Sequence, residues 1–336
     1  MIPTEPATMF RERIKHQEAV HIVYLGGGWP TNIGNAFIDL GSIYSLKMAC
    51  PNSIIYFISD MPGSEFERHT GDIDNCFMLT SKIQADYLVF SGMVLSREFI
   101  NLNGREILQS LKNNKNIKII INGGGGRDYS KTEISVVQKF LDDINPHAFV
   151  SRDSVAFQNY QHCALYSHDG IDCGFFVSDF FTPAKLSLPE FIVLNFDDIS
   201  KEKYVPKQAN KMIIRTQHTI HIESLPNRLV SIYNRLVSIY GRLRYFYMPN
   251  TLISDIPDDY LNVYANAKAT YSTRVHACVA TLAFGNPAML FAKTPRANLF
   301  DKVGASSIKE KLTYANMQKM SDEKSKRIKF LSKVIT

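Results

Sequence analysis

Long apolar runs are missing. None approaches the ~20 residues that a membrane-spanning helix needs, so no span is expected. The opening residues, Met1-Ile-Pro-Thr-Glu-Pro6, lack the basic-then-apolar layout of a secretory signal. The expectation is a cytoplasmic protein, at most peripherally held at the inner face of a membrane. Cysteine is sparse: the five (50, 76, 163, 173 and 278) are odd in number and show no C-x-x-C spacing. Cys50, Cys173 and Cys278 lie in apolar settings. The cysteines read as reduced buried thiols, with no zinc site. Tryptophan occurs once, at Trp29. A large excess of either charge is also absent. The net charge of +6 is spread along the chain, which suits anionic substrates and does not by itself imply nucleic acid.

What is present is enough chain for two ordinary domains, 336 residues. With 45% hydrophobic and 21% charged residues it reads as globular, not disordered. After a polar start with a short helix expected near Met9 to Lys15, His21-Ile-Val-Tyr-Leu25 reads as a strand. A loop with Gly26, Gly27, Gly28, Trp29, Asn32, Gly34 and Asn35 follows, then a helix carrying Ala36, Phe37, Leu40, Ile43 and Tyr44. Strand, glycine-rich loop, helix is the opening unit of a doubly wound α/β domain. The loop is not G-x-G-x-x-G, so a dinucleotide fingerprint is not met. Its glycines let backbone approach a ligand, and Asn32 and Asn35 can hydrogen-bond one. Trp29 can stack on a sugar or base, or simply pack.

Further strands are expected at 54–58, 86–90, 117–121 and 148–150. The fourth strand runs into Asn122-Gly123-Gly124-Gly125-Gly126. Four ordered glycines are costly, so something should want bare backbone there, a ligand or a facing domain. Ser151-Arg152-Asp153-Ser154 places Arg152 at a strand-to-helix junction, and a last strand is expected across 168–177 with Asp172 in a loop beside it. Residues 182–189 are the best linker. A second α/β unit follows, with strands at 191–195, 211–215 and 245–248 and a helix at 225–243. That helix holds Asn-Arg-Leu-Val-Ser-Ile-Tyr twice in tandem, which keeps Leu229, Ile232, Leu236 and Ile239 on one face.

The chain is organised around Thr270-Tyr-Ser-Thr-Arg274-Val-His276, followed by the apolar run to Gly285-Asn-Pro287 and the strand 288–292. It reads as strand, turn, buried helix and strand. Arg274 and His276 sit where the helix starts, and a helix start presents unpaired N–H groups and partial positive charge. Lys293 and Arg296 come after the next strand. Arg152, Arg274, His276, Lys293 and Arg296 therefore all follow strands, and in two facing doubly wound domains such ends line one cleft. A cationic, glycine-rich cleft without a carboxylate cluster suits phosphate and carboxylate groups, which arginine binds through paired bonds.

These motifs in this order resemble the polysaccharide pyruvyl transferases, from about His21 to Lys302. The likeness rests on Gly34-Asn35, the Asn122 glycine run, Ser151-Arg152-Asp153-Ser154, Asp172 and Ser272-Thr-Arg274-Val-His276 with Gly285-Asn-Pro287. The resemblance implies a GT-B-like pair of Rossmann-like domains facing a central cleft: 1–185, 190–310 and a helical tail 311–336. It implies phosphoenolpyruvate as donor substrate, no cofactor or metal, and a sugar acceptor, free, polymeric or lipid-linked. Arg152, His276 and Arg296, with Lys293, would bind phosphoenolpyruvate, and His276, Arg152 and Arg274 would be catalytic. The acceptor would meet Gly27, Gly28, Trp29, Asn32, Asn35, Asn122, Gly123 and Gly124. The sequence departs from the family where Asn35 stands for an Asp and Lys293-Thr-Pro-Arg296 for a Tyr-Asp-Pro-Lys-like run. Two other functions fit the residues: a GT-B glycosyltransferase using a nucleotide sugar, and a non-catalytic sugar or anion binder, with an oligomer open to any of the three.

Overall fold

Residues 19–29, 32–59, 79–197, 199–205, 211–218 and 247–335 are described by a computed structural model. The tandem heptad helix and the short N-terminal helix lie outside them. The first half alternates β1 (His21–Gly26), α1 (Gly34–Ala49), β2 (Ile54–Ser59), β3 (Tyr87–Leu95), α2 (Arg97–Asn113) and β4 (Lys118–Gly126). It continues with α3 (Lys131–Ile144), β5 (Ala148–Ser151), α4 (Ser154–Tyr160), β6 (Tyr166–His168) and the short α5 (Val177–Phe180). The second half holds β7 (Phe191–Asn195), β8 (Met212–Thr216), β9 (Thr251–Leu252), α6 (Pro257–Asn266), β10 (Thr270–Ser272), α7 (Val275–Ala283) and β11 (Ala288–Leu290). A 3₁₀ segment, Pro295–Val303, and the last helix, α8 (Met317–Val334), close the chain.

The strands form two all-parallel sheets, ordered β2-β1-β3-β4-β5-β6 and β11-β10-β7-β8-β9. Parallel strands need crossover helices, which bury both faces of the sheet. Alternate residues of β1 divide accordingly. Val23 and Leu25 join Ile107, Val137 and Phe140 on one face, and Ile22 and Tyr24 join Leu46, Leu331 and Val334 on the other. Strand order reverses between β1 and β3 in the first sheet and between β7 and β10 in the second. Ligands of open α/β sheets bind outside the strand ends at such reversals. A continuous apolar cluster joins the halves, running from Ile33 and Phe37 of α1 through Phe175 and Phe176 to Tyr260, Tyr264 and α7. This is the architecture of two Rossmann-like domains, as the sequence implied.

Three local expectations are corrected. The third and fourth strands do not stop at Phe90 and Ile121: β3 extends through Leu95, and β4 continues through the glycine run to Gly126. Residues 168–177 are not one strand. Asp172 accepts a hydrogen bond from the Gly174 N–H at 2.8 Å and starts a helical turn, Cys173–Phe176. Tyr247 and Met248 lie in a turn before β9, not in a strand. The C-terminal helix α8 returns to the first half, where Leu331 and Val334 join the core over β1 and β3.

Candidate functional site

The second sheet's reversal point is built by hydrogen bonds between the ends of β7 and β10. Ser272 Oγ donates to Asn195 Oδ1 at 3.0 Å, and the Thr273 N–H donates to the Asn195 carbonyl at 2.9 Å. Arg274 Nε donates to Asp197 Oδ1 at 2.7 Å. Arg274 occupies the position just before α7, and no side chain caps that helix. Its first N–H groups are therefore left for whatever lies beyond the sheet edge. The other wall is the start of α1. A Cβ on Gly34 would lie 3.0 Å from the His276 Cβ and 3.4 Å from the His218 Nδ1, so glycine there lets the two halves approach. Between them opens a cavity of about 200 Å³ lined by Asn32, Asp197, His218, Thr273, Arg274, Val275, His276, Ala292, Thr294 and Arg296.

His276 is buried between unlike neighbours. Its Nε2 lies 3.5 Å from Asp172 Oδ2, and its Nδ1 lies 3.5 Å from Arg296 Nη2. An arginine only donates, so Nδ1 is the acceptor and Nε2 carries the proton toward Asp172. Burial lowers the imidazole's pKa. Asp172 opposes this, while Arg296 and Arg152 add to it, and the net direction is downward. Burial by itself would raise the Asp172 carboxyl, but His276, Arg152 and the Gly174 N–H outweigh it and hold it at about 2. The resting site is thus a carboxylate, a neutral imidazole and a guanidinium in a row. Burial, with Arg152 beside it, lowers Arg296 to about 10, so it stays charged at neutral pH.

Arg152 stands behind this row. It is fully buried and bends back so that Nη2 donates to the Gly126 carbonyl at 2.8 Å. A Cβ on Gly125 would fall inside its guanidinium, so the glycine is there for Arg152. Asp153 caps α4 through the Ala156 N–H at 2.8 Å, and its carboxylate sits 3.7 Å from Arg152 Nε. Arg152 is not among the residues lining the cavity; it acts on Asp172, His276 and Arg296 through its charge. The junction is tied to the second half by Lys302, whose Nζ is 2.8 Å from Asp169 Oδ2, while Asp169 accepts from Ser151 and Ser154.

The remaining expected residues divide. Lys293 is exposed and away from the cavity, which Arg296 enters instead because Thr294 Oγ1 caps the following turn through the Arg296 N–H at 3.3 Å. Asn122, Gly123 and Gly124 do not line the cavity. All three are buried, and Asn122 Oδ1 accepts from Arg327 Nε and Nη2 of α8 at 3.1 and 2.6 Å. Gly123, at φ +86°, leaves room for Arg327 and the Cys173 thiol. Asn32 lines the cavity, its Oδ1 accepting from the Gly34 N–H at 3.2 Å, and its Nδ2 donates to Asn35 one turn into α1. Gly27, Gly28 and Trp29 sit beside the first sheet's reversal point. The Gly27 N–H and the Trp29 indole N–H both donate to Asp39 Oδ2, at 3.0 and 2.7 Å. Asp39 is a buried acid in the apolar helix α1, and that mismatch was its sequence signal. Asp197 and His218, which line the cavity, and Asp172, buried behind His276, are the other site residues not assigned a role from sequence. Each lies just past a strand or at a turn, the same signal that marked the arginines.

Among the described residues no cluster of His, Cys, Asp or Glu is placed to hold a metal ion, and no helix is long and apolar enough to cross a membrane. No family model matches the chain, and no characterised protein matches it by sequence. Solved structures do resemble it. A UDP-N-acetylglucosamine 2-epimerase from Rickettsia bellii superposes with a TM-score of 0.54 at 13% identity, over 94% of this chain and 97% of that one. The S. aureus MnaA–UDP complex gives a TM-score of 0.51 at 11% identity, over 94% and 91%. At such identities the likeness is one of fold: two parallel-sheet Rossmann-like domains in the GT-B manner.

Proposed function

We propose that the chain is a sugar-modifying transferase whose cavity at the β7/β10 reversal holds phosphoenolpyruvate. The observation that carries this is the His276–Arg296 pair on the wall of a cavity of about 200 Å³ that Arg274 also lines, with Asp172 buried behind His276. Pockets for drug-sized ligands run from about 300 Å³ upward, so this hollow suits a three-carbon acid phosphate better than a whole nucleotide sugar. Arg296, Arg274 and the N-terminal N–H groups of α7 supply the positive field for a phosphate and a carboxylate.

The chemistry needs proton handling and charge stabilisation, and no covalent nucleophile. A proton must reach the methylene carbon of phosphoenolpyruvate, making C2 electrophilic. A sugar hydroxyl adds to C2, phosphate leaves with the C2–O bond, and a second hydroxyl closes the ketal. Two hydroxyl protons are released; one replaces the proton given to the methylene carbon and one leaves with phosphate. His276 is assigned the proton, because a bound dianion beside it offsets Arg296 and Arg152 and lets the imidazole protonate. Asp172 orients its Nε2–H and balances the imidazolium.

A second function is favoured by one finding, the fold shared with the UDP-N-acetylglucosamine 2-epimerases. In it the same cations hold a nucleotide diphosphate and Trp29 meets the sugar or base. Incubation with phosphoenolpyruvate plus sugar acceptors, and separately with UDP-N-acetylglucosamine, discriminates. Phosphate release with a pyruvyl-ketal mass gain supports the first. Epimerisation or hexosyl transfer without phosphoenolpyruvate turnover refutes it in favour of the second.

A further inference from the structure

We infer that His218 is a ligand-binding residue of this site: its Nδ1–H donates a hydrogen bond, as a neutral group, to an anionic oxygen of the bound molecule. The inference rests on the anion-site function proposed above and adds a contact that neither the motifs nor the fold assigns. His218 follows β8 and is fully buried, yet it lines the cavity and its Nδ1 has no hydrogen-bond partner among the described residues. A buried ring nitrogen without a partner, in a residue that lines a cavity, is suited to bind a ligand group, since leaving it unpaired is costly.

The inferred proton position is compatible with a chain of bonds behind the ring. Asn195 Oδ1 accepts from Ser272 Oγ, so its amide is oriented with Nδ2 donating to Thr216 Oγ1 at 2.9 Å. Thr216 Oγ1 then accepts from Asn195, and its single proton is assigned to Tyr264 Oη, 3.1 Å away. Tyr264 then spends its own proton on His218 Nε2, 2.6 Å away. With Nε2 accepting, the neutral ring must carry its hydrogen on Nδ1, which faces the cavity. Burial first, then Arg274 and His276, lowers the pKa of His218, so it stays neutral. Burial keeps Tyr264 a phenol able to donate. Edge-on packing against Phe37 and Tyr260, with centroids 5.8 and 5.5 Å away, fixes the ring plane.

The site thus pairs two kinds of donor. Arg296 and Arg274 bring charge. His218 brings a directional N–H without adding a third cation beside His276. The test titrates inorganic phosphate, pyruvate and phosphoenolpyruvate into wild type, His218→Phe, His218→Asn and Arg296→Met by calorimetry. Phenylalanine keeps the aromatic packing and loses the donor. The Asn amide puts an N–H close to where Nδ1 stood. A hydrogen bond to a charged group is worth about ten- to a hundredfold in affinity. His218→Phe is expected to weaken the affected anion by at least about tenfold, and His218→Asn to restore most of that. The phosphate and pyruvate arms tell which group the N–H meets. If His218→Phe binds all three like wild type while Arg296→Met does not, the anion site stands and the His218 assignment falls. If wild type binds none of them, both fall. Nitrogen-15 spectra of histidine-labelled wild type need no variant to fold. They are expected to show His218 as the Nδ1–H tautomer, and the Nε2–H tautomer would overturn the inference.

Discussion

Asp172→Asn removes the negative charge at the centre of the site while keeping its shape and an oxygen to accept from the Gly174 N–H. The native carboxyl sits at about 2 against an ordinary 3.8, because His276, Arg152 and Gly174 outweigh its burial. One pKa unit corresponds to about 1.4 kcal/mol, so with His276 charged the carboxylate contributes about 2 kcal/mol to stability. The sign follows from linkage. The folded protein binds this proton more weakly than the unfolded chain, so the contribution is complete above pH 3.8 and fades as pH falls toward 2. Urea unfolding of both proteins from pH 8 to pH 4 is expected to show a deficit in the variant that grows as pH falls and His276 charges, reaching about 2 kcal/mol. Because the stranded groups are buried cations, the loss should shrink when Arg152→Met is added, as groups in one network are not additive. Equal or greater stability of Asp172→Asn would refute the electrostatic order assigned to the row.

Other outcomes follow from the same geometry. Gly125→Ala, with no unusual backbone angle to strain, should cost about 1–3 kcal/mol by overpacking against Arg152, read as a lower thermal midpoint and a loss of phosphoenolpyruvate turnover. Arg296→Met should weaken phosphoenolpyruvate by about tenfold or more, and Lys293→Met by less than about twofold, since only the first lines the cavity. Protonation of His276 should accompany dianion binding. Calorimetry near pH 7 in buffers of different ionisation enthalpy should therefore show proton uptake in wild type and none in His276→Ala.

Much of the scaffold was legible because parallel strands buried on both faces read as plain apolar runs. His21-Ile-Val-Tyr-Leu25 and Phe191-Ile-Val-Leu-Asn195 are β1 and β7 almost residue for residue. The strand-to-helix turn at Arg274 and His276 was legible for the same reason, with a polar pair between an apolar strand and an apolar helix. The continuation of β4 through the glycine run was not legible, because glycine inside a strand gives no pattern until its neighbours are known. Here the neighbours are Arg152 and Arg327, from 26 to more than 200 positions away, and no local pattern announces them. The return of α8 to the first half was hidden likewise: a polar helix reveals an apolar face but not what it covers. His218, two residues past β8, was missed because its hydrogen-bond partner, Tyr264, lies in another element, 46 positions away.

The most direct measurement is calorimetric titration of phosphoenolpyruvate into the folded wild type and into His276→Ala, followed by phosphate release with sugar acceptors on the same samples. Saturable one-site binding by both proteins, with phosphate released only by wild type, is the expected result. No binding by wild type, or turnover retained without the imidazole, would contradict the assignment of the β7/β10 cavity and of His276 within it.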